Sequence, residues 1–355
     1  MTIAEHPATP GSVDLALQQV ARFPRLRYMG SKFRLAKPLA EVFAAAGGGT
    51  AVDAFSGSGV VSYLLKAQGF RVVSNDFLAF PTAIAEAVVV NQGVRLGDEL
   101  VARIAGEPLD DRDFIASTFD GLYFDADDRR FLDSAWSHID LLDGAERALA
   151  ISALVLSAAR KQPRGVFTFT DSSRYDDGRR DLRLSLREHF ALRAAEYDAA
   201  VFDRGAGHAA HCGDVAELAV ESPSLVYLDP PYAPPSDDAD YMKRYHFLQG
   251  LATYWRGQEI MPETKTKKIA KRFTPFAYRR TVEAALERTF EQFAEAGTIV
   301  LSYSSNSVPD AQTIEALLRR VKPSVEVLPV AHSYSFGTHA AATRRAVSEY
   351  IFVAR

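Results

Sequence analysis

An α/β fold is what this sequence predicts: a largely parallel sheet with alternating helices, interrupted by one long, mainly helical insertion. Three observations predict it. Short apolar runs alternate with helical patterns at both ends of the chain, as crossover-connected parallel strands require. Four of those runs carry an acid at their ends, Asp53, Asp76, Asp214 and Asp229. A parallel sheet gathers such ends on one edge, where open α/β sheets bind ligands. Residues 95–207 break the alternation and carry no nucleotide-site signal.

Composition sets the bounds. A chain of 355 residues can bury one sizeable core or two smaller ones. With 47% hydrophobic and 24% charged residues, it reads as a soluble globular protein. No apolar run approaches the roughly 18 residues that a bilayer span needs. Residues 1–19 hold an early acid and proline and no apolar h-region, so a secretory signal is not expected. Cys212 is the sole cysteine, which excludes an internal disulfide or a cysteine metal cluster and fits a reducing cytoplasm. A net charge of −4 gives no global basic field, leaving only local basic faces to meet nucleic acid.

Residues 1–22 read as a polar, loosely ordered leader. Arg27-Tyr28-Met29-Gly30-Ser31-Lys32 follows, then Phe33, Leu35, Leu39, Val42 and Phe43 at helical spacing. A Gly-Ser turn before a helix exposes backbone N–H groups, and Lys32 adds positive charge. An ordinary capped helix with a surface lysine would look the same. Gly47-Gly48-Gly49 ends that helix. Residues 50–55 read as a buried strand running into Ser56-Gly57-Ser58-Gly59 and a helix over 60–68. Strand, glycine turn and helix form a nucleotide-cradling unit, because glycine lets backbone approach a ligand closely. A third glycine spaced for a dinucleotide is missing, and so is the Lys-Ser/Thr of a P-loop. A strand over 71–76 ends at Asp76, placed to bond ribose hydroxyls or simply to cap the helix over 79–90. One glycine turn and one acid suggest a single nucleoside.

The insertion is Asp-rich over 97–143, with helical patches around Phe114, Phe131 and Trp136. An apolar helix over 145–159 and an amphipathic one over 182–197 follow. Between them lie Arg160-Lys161-Gln162-Pro163-Arg164-Gly165, the alternating segment 166–170, and a polar loop carrying Arg174 and Arg179. Arginines beside Ser, Thr and Tyr suit phosphate contact, and a solvated basic loop is the alternative.

Strands resume over 209–214 and 225–229. The second runs Leu225-Val226-Tyr227-Leu228 into Asp229-Pro230-Pro231-Tyr232. Proline cannot continue a ladder, and the residue before it is driven to extended geometry. Asp229 is therefore held at the strand's end, with Tyr232 just beyond. Residues 233–275 are polar, with Tyr241, Tyr245, an aromatic helix over 247–255 and the acid-free run Lys265-Thr266-Lys267-Lys268-Ile269-Ala270-Lys271-Arg272. Beside an aromatic cleft, Lys267, Lys268 and Lys271 read as a strand-binding rim, where a solvated face is the plain alternative. Helices over 278–295 and 311–321 and strands over 298–303, 325–330 and 348–353 complete seven strands.

In this order, Arg27-Tyr28-Met29-Gly30-Ser31-Lys32, Asp53-Ala54-Phe55-Ser56-Gly57-Ser58-Gly59 and Leu228-Asp229-Pro230-Pro231-Tyr232 resemble the Dam-like adenine-specific DNA methyltransferases. His332-Ser333-Tyr334-Ser335-Phe336 and Glu349-Tyr350-Ile351-Phe352-Val353 are similar to that family's end. The resemblance implies a Rossmann-like seven-stranded methyltransferase sheet with its last strand antiparallel. It implies a catalytic domain over 23–94 and 208–355 that binds S-adenosylmethionine, and a target-recognition subdomain over 95–207. The implied cofactor residues are Tyr28, Met29, Lys32, Asp53, Phe55, Gly57, Ser58 and Gly59, with Asp76 at the ribose and Asp214 at the adenine amino group. The basic loop does not spell the recognition hairpin of enzymes reading GATC, so no target sequence is implied.

The chemistry has its own requirements. An adenine amine is a poor nucleophile, because its lone pair is delocalised into the ring. Two rigid acceptors, the Asp229 carboxylate and the Pro230 carbonyl, would bind both N–H bonds and localise that pair. The base must leave the duplex at a cost of a few kcal/mol. Stacking on Tyr232 would return about 1–3 kcal/mol. The expected DNA contacts are Arg160, Lys161, Arg164, Arg174, Arg179, Lys267, Lys268 and Lys271. No metal is expected, and the expected partner is double-stranded DNA. A restriction endonuclease is a candidate functional partner, the chain a monomer or weak dimer, and the expected location the cytoplasm, for a prokaryotic or phage-encoded protein acting at the nucleoid. Two rival readings stay open here: an amine in ribosomal RNA as target, and a non-catalytic nucleotide- or DNA-binding module. Asp at 229 favours adenine over cytosine or glutamine, where Ser or Asn stands first in related motifs.

Overall fold

All seven expected strands join one sheet. They are β1 (Thr50–Asp53), β2 (Arg71–Asp76), β3 (Ala209–Cys212), β4 (Leu225–Leu228), β5 (Thr298–Ser304), β6 (Val325–Ser333) and β7 (Ala346–Ala354). Their order is β3-β2-β1-β4-β5-β7-β6. β7 runs antiparallel to both β5 and β6, and the pairs from β3 across to β5 are parallel. This is the fold expected from the sequence. The computed structural model describes residues 10–168, 170, 179–205, 207–233, 241–333 and 346–355, with the backbone alone at 10–12, 164, 331–333 and 346–347.

The central strands are buried on both faces, which is why they read as continuous apolar runs. Ala51, Val72, Tyr227 and Val300 face one core, while Val52, Val73, Val226 and Ile299 face the other. The second core is closed by α12 (Val282–Gln292) and α13 (Ala311–Leu318). The first is larger. It takes α1 (Pro10–Val20), α2 (Ala36–Ala44), α3 (Val60–Ala67), α4 (Ala79–Ala85) and α11 (Tyr241–Thr253). α4 continues into a wider turn over Glu86–Val90. There the buried Lys66 ammonium donates to the carbonyls of Val88 and Asn91.

The leader expected to be loose is in fact helical from Pro10 onward. Ala16 and Val20 of α1 are buried in the first core, and Gln19 donates to the Tyr63 hydroxyl at 2.7 Å. Sparse apolar residues at helical spacing sufficed, because α2 and α3 supply the surface that α1 covers.

The insertion between β2 and β3 is helical. It comprises α5 (Gly97–Ile104), α6 (Phe114–Thr118), α7 (Ala126–Ile139), α8 (Gly144–Arg160), α9 (Arg180–Arg183) and α10 (Leu186–Ala200). α10 opens on a reciprocal capping box between Ser185 and Glu188. Residues 166–168 of the alternating segment join no strand. Phe167 instead stacks on Phe247 of α11, ring centres 4.6 Å apart. The apolar α8 lies in the same continuous core as α4 and α11. Among the described residues the insertion therefore buries its apolar face against the sheet-covering helices and shares their core. α11 begins at Tyr241, before the aromatic stretch expected to form it, and Trp255 packs on Gly250 just past its end.

Candidate active site

Strand order reverses between β1 and β4, and a crevice opens at their carboxyl ends, the usual ligand position in such sheets. The pocket there has about 910 Å³ of space including its open mouth. Its walls come from three stretches distant in sequence: Tyr28 to Lys32, Phe55 to Ser58 with Asp76 to Leu78, and Asp229 with Pro231. Tyr241, Lys271, Arg272 and Tyr278 form the fourth side.

The glycine turn is held by the acid of the next strand. Asp76 accepts the Gly57 N–H at 2.8 Å on one oxygen and the Leu78 N–H at 2.9 Å on the other. Burial nonetheless pushes its carboxyl up to about 6, partly offset by those backbone donors. Gly57 has φ +50°, in the left-handed region that glycine favours. The Tyr28 ring lies against it and stacks on Tyr245 at 4.8 Å between centres. The Tyr245 hydroxyl accepts the Met29 N–H at 2.7 Å, which fixes the Tyr28 to Lys32 segment over the turn.

At the end of β4, Asp229 meets Lys32. The ammonium lies 2.7 Å from Asp229 Oδ1, 3.3 Å from Glu349 Oε1, and donates to the Gly30 carbonyl at 2.7 Å. Burial opposes the charge on Lys32, yet the two carboxylates outweigh it and hold the ammonium above its ordinary pKa. The Tyr232 hydroxyl also reaches Asp229 Oδ1, at 2.8 Å, and makes a short contact to Glu349 Oε1. Asp229 Oδ2 accepts no hydrogen bond among the described residues, on a carboxylate that lines the pocket. Burial raises the Asp229 carboxyl to about 6; Lys32 pulls it down and Glu349 pushes it up. The arrangement is a rigid carboxylate at a pocket, anchored on one oxygen by two donors and open on the other.

Of the cofactor positions read from the sequence, Tyr28, Met29, Lys32, Phe55, Gly57, Ser58 and Asp76 line this pocket. Three do not. Asp53 lies beneath it, fully buried, accepting the Ser62 hydroxyl at 2.6 Å. Gly59 starts α3 with φ +81°, against Ile84 and Phe23, where a backbone turn rather than a ligand needs it. Asp214 caps the 3-10 turn after edge strand β3 by accepting the Ala216 N–H, outside the pocket. Tyr232 also stays off the pocket wall, its ring 5.0 Å from Tyr303 and its hydroxyl engaged behind Asp229.

The basic residues divide similarly. Arg160 donates to the Arg25 carbonyl, and Lys161 pairs with the buried Asp128. Arg160 thus ties the end of α8 to the N-terminal segment, and Lys161 ties it to α7. Lys267 turns onto the Pro262 carbonyl, and Lys268 and Arg179 lie off the pocket wall. Arg174 and the Arg164 side chain lie outside the described residues, as do Tyr334, Ser335 and Phe336. Lys271 lines the pocket with its ammonium 4.9 Å from the Tyr278 ring centre. Beside it Arg272, not singled out from the sequence, stands over Phe77 at 4.2 Å. Glu349 was missed too. It is a buried charge within an apolar strand, a local inconsistency readable in Ser348-Glu349-Tyr350-Ile351.

The family model of the D12 class N6 adenine-specific DNA methyltransferases matches residues 28–279. The chain is also similar to the Type II methyltransferase M2.HphI of Haemophilus parahaemolyticus. The two are 27% identical over 327 residues, covering 88% of this chain and 93% of that protein. No solved structure matches the chain.

Proposed function

The chain belongs to the D12 class N6 adenine-specific DNA methyltransferases, and from that premise we propose that the pocket at the β1–β4 switch point binds S-adenosylmethionine beside a flipped-out adenine, whose amine Asp229 receives. The residues fit such a cofactor. A glycine turn without side-chain bulk, the Asp76 carboxylate next to it and the aromatic walls Tyr28, Phe55 and Phe77 together suit one nucleoside with a charged tail. S-adenosylmethionine supplies an electrophilic methyl group when bound there.

The protein's own part is positioning. Asp229 Oδ2 and the Pro230 carbonyl accept the two amine N–H bonds and draw the lone pair out of conjugation. The prolines fix both acceptors beforehand, so little reorganisation accompanies attack. As nitrogen gains positive charge, the ionised Asp229 stabilises it. The target base reaches the site by leaving the duplex stack. At the pocket mouth Lys271 and Arg272 contact phosphate, and Tyr278 with the exposed Phe273 stacked on it at 5.3 Å offers aromatic surface. The insertion between β2 and β3 contributes target recognition, and the protein works in the cytoplasm.

The observation that carries this reading is the open Oδ2 of Asp229 in the same pocket as Gly57. The Asp229→Ala variant should lose N6-adenine methylation of duplex DNA while binding S-adenosylhomocysteine within about threefold of wild type, because the acceptor is lost and the cradle kept. Methylation at the wild-type rate by that variant rules the mechanism out.

A further inference from the structure

Glu349 is the one charged residue of β7 and is fully buried, at the far side of Asp229 from the pocket. Several elements among the described residues bring side chains to it. Lys32 approaches from the turn before α2, Tyr232 and Asp229 from the segment after β4, and Tyr227 from β4, with Tyr303 of β5 behind Tyr232.

Charge and proton counting give Glu349 a function. With Asp229 alone, Lys32 would form a neutral pair and its full charge would sit on the carboxylate that must attract a developing ammonium. A second carboxylate shares the Lys32 cation, so the trio Lys32, Asp229 and Glu349 is net negative. Tyr232 has one hydroxyl proton and contacts both Asp229 Oδ1 and Glu349 Oε1. The two carboxylates therefore compete for it, as they compete for Lys32. We propose that Glu349 is a positioning residue for methyl transfer: it draws Lys32 and Tyr232 to one side of Asp229, so that Asp229 turns its second oxygen to the amine, and it supplies the negative charge that this amine meets as it becomes an ammonium. The inference rests on the assignment of Asp229 as amine acceptor.

Single-turnover methylation at saturating cofactor and DNA, measured across pH, tests it. Glu349→Gln keeps size and hydrogen-bonding oxygen but loses the charge. Its rate constant should fall about tenfold or more, with S-adenosylhomocysteine affinity within about twofold of wild type. Its acid limb should move to lower pH, because Asp229 ionises more readily without a carboxylate beside it. Glu349→Asp keeps the charge on a shorter stem. Its limb should stay at the wild-type position and its rate should lie between the other two, also if the Gln variant does not fold. A wild-type rate in both variants overturns the proposal, as does a lower rate in Gln with an unmoved limb, which marks a merely structural role. Wild-type protein in the same assay separates the two levels: if it transfers no methyl group to adenine, the underlying assignment fails, whereas an unaltered variant beside an active wild type defeats only the role of Glu349.

Discussion

The ring of Tyr28 occupies the space a Cβ on Gly57 would need: an ideal Cβ there meets Tyr28 Cε1 at 2.9 Å. The contact joins two motifs that lie apart in the chain. Tyr28 cannot retreat, since Tyr245 stacks on it nearly parallel, 10° between the rings. Gly57→Ala adds the left-handed backbone penalty of about 1–2 kcal/mol to that clash. The expected result is S-adenosylhomocysteine affinity weakened more than about tenfold, read by calorimetric titration, since 1.4 kcal/mol is one decade. An unaltered Kd would remove this turn from the cofactor site.

In the proposed mechanism Asp229 must be ionised to accept the amine and to stabilise the cation. Its carboxyl is raised to about 6 by burial, with Glu349 adding to the effect and Lys32 opposing it. The active form thus predominates above that pH and is titrated away below it. The single-turnover rate should fall as pH drops through about 6, approaching tenfold per unit, with no matching limb in cofactor binding. A limb near 4 would mean that the carboxylate titrates as in water.

Tyr232→Phe separates two roles for that side chain. Read from the sequence, its ring stacks on the extruded base, a role that Phe would preserve. In the structure its hydroxyl anchors Asp229 and touches Glu349. If anchoring dominates, Phe should cost about one hydrogen bond, 0.5–1.5 kcal/mol, or roughly two- to tenfold in rate. A wild-type rate would return the residue to stacking alone.

The sheet was legible because its strands are continuous apolar runs ended by acids, prolines or glycines, signals that survive without tertiary context. The pocket lining from Phe55 to Asp76 was legible for the same reason: a strand, a glycine turn and an acid determine their own geometry. What stayed hidden depends on which distant element covers a residue. Lys161 reads as a surface cation until Asp128 is seen buried beside it. Asp214 has the same strand-end position as Asp76. However, β3 lies at the sheet's edge, and its acid caps a turn outside the pocket. Glu349 sits in a strand whose pattern says core, and only the fold brings Lys32 to it.

Asp53 should weaken the fold as pH rises. Burial lifts its carboxyl to about 7 from an ordinary 3.8; the Ser62 hydroxyl opposes that rise, and Oδ1 has no hydrogen-bond partner among the described residues. The folded state therefore binds more protons than the unfolded one between those values. The contribution is complete below pH 3.8 and lost as pH climbs through 7. Asp53→Asn removes this penalty while keeping an acceptor for Ser62. At about 1.4 kcal/mol per unit the gain is a few kcal/mol at most. Thermal unfolding should show the variant more stable than wild type at pH 8, with the difference shrinking towards pH 5. An equal difference at both values would refute the assignment of the strain to this carboxylate.

Salt dependence tests which cations meet DNA. Lys271 and Arg272 stand at the pocket mouth over aromatic rings, while Arg160 and Lys161 are bound to the Arg25 carbonyl and to Asp128. Each phosphate contact contributes about 0.9 to the slope of log affinity against log salt. Replacing Lys271 and Arg272 together by alanine should flatten that slope by about 1–2 and weaken binding to all sequences alike. Lys161→Ala should leave the slope unchanged and lower the melting temperature, since Asp128 is left buried without its cation. If instead Lys161→Ala flattens the slope and the double variant does not, the DNA runs over the insertion's basic loop and the rim at the pocket mouth is only solvated surface.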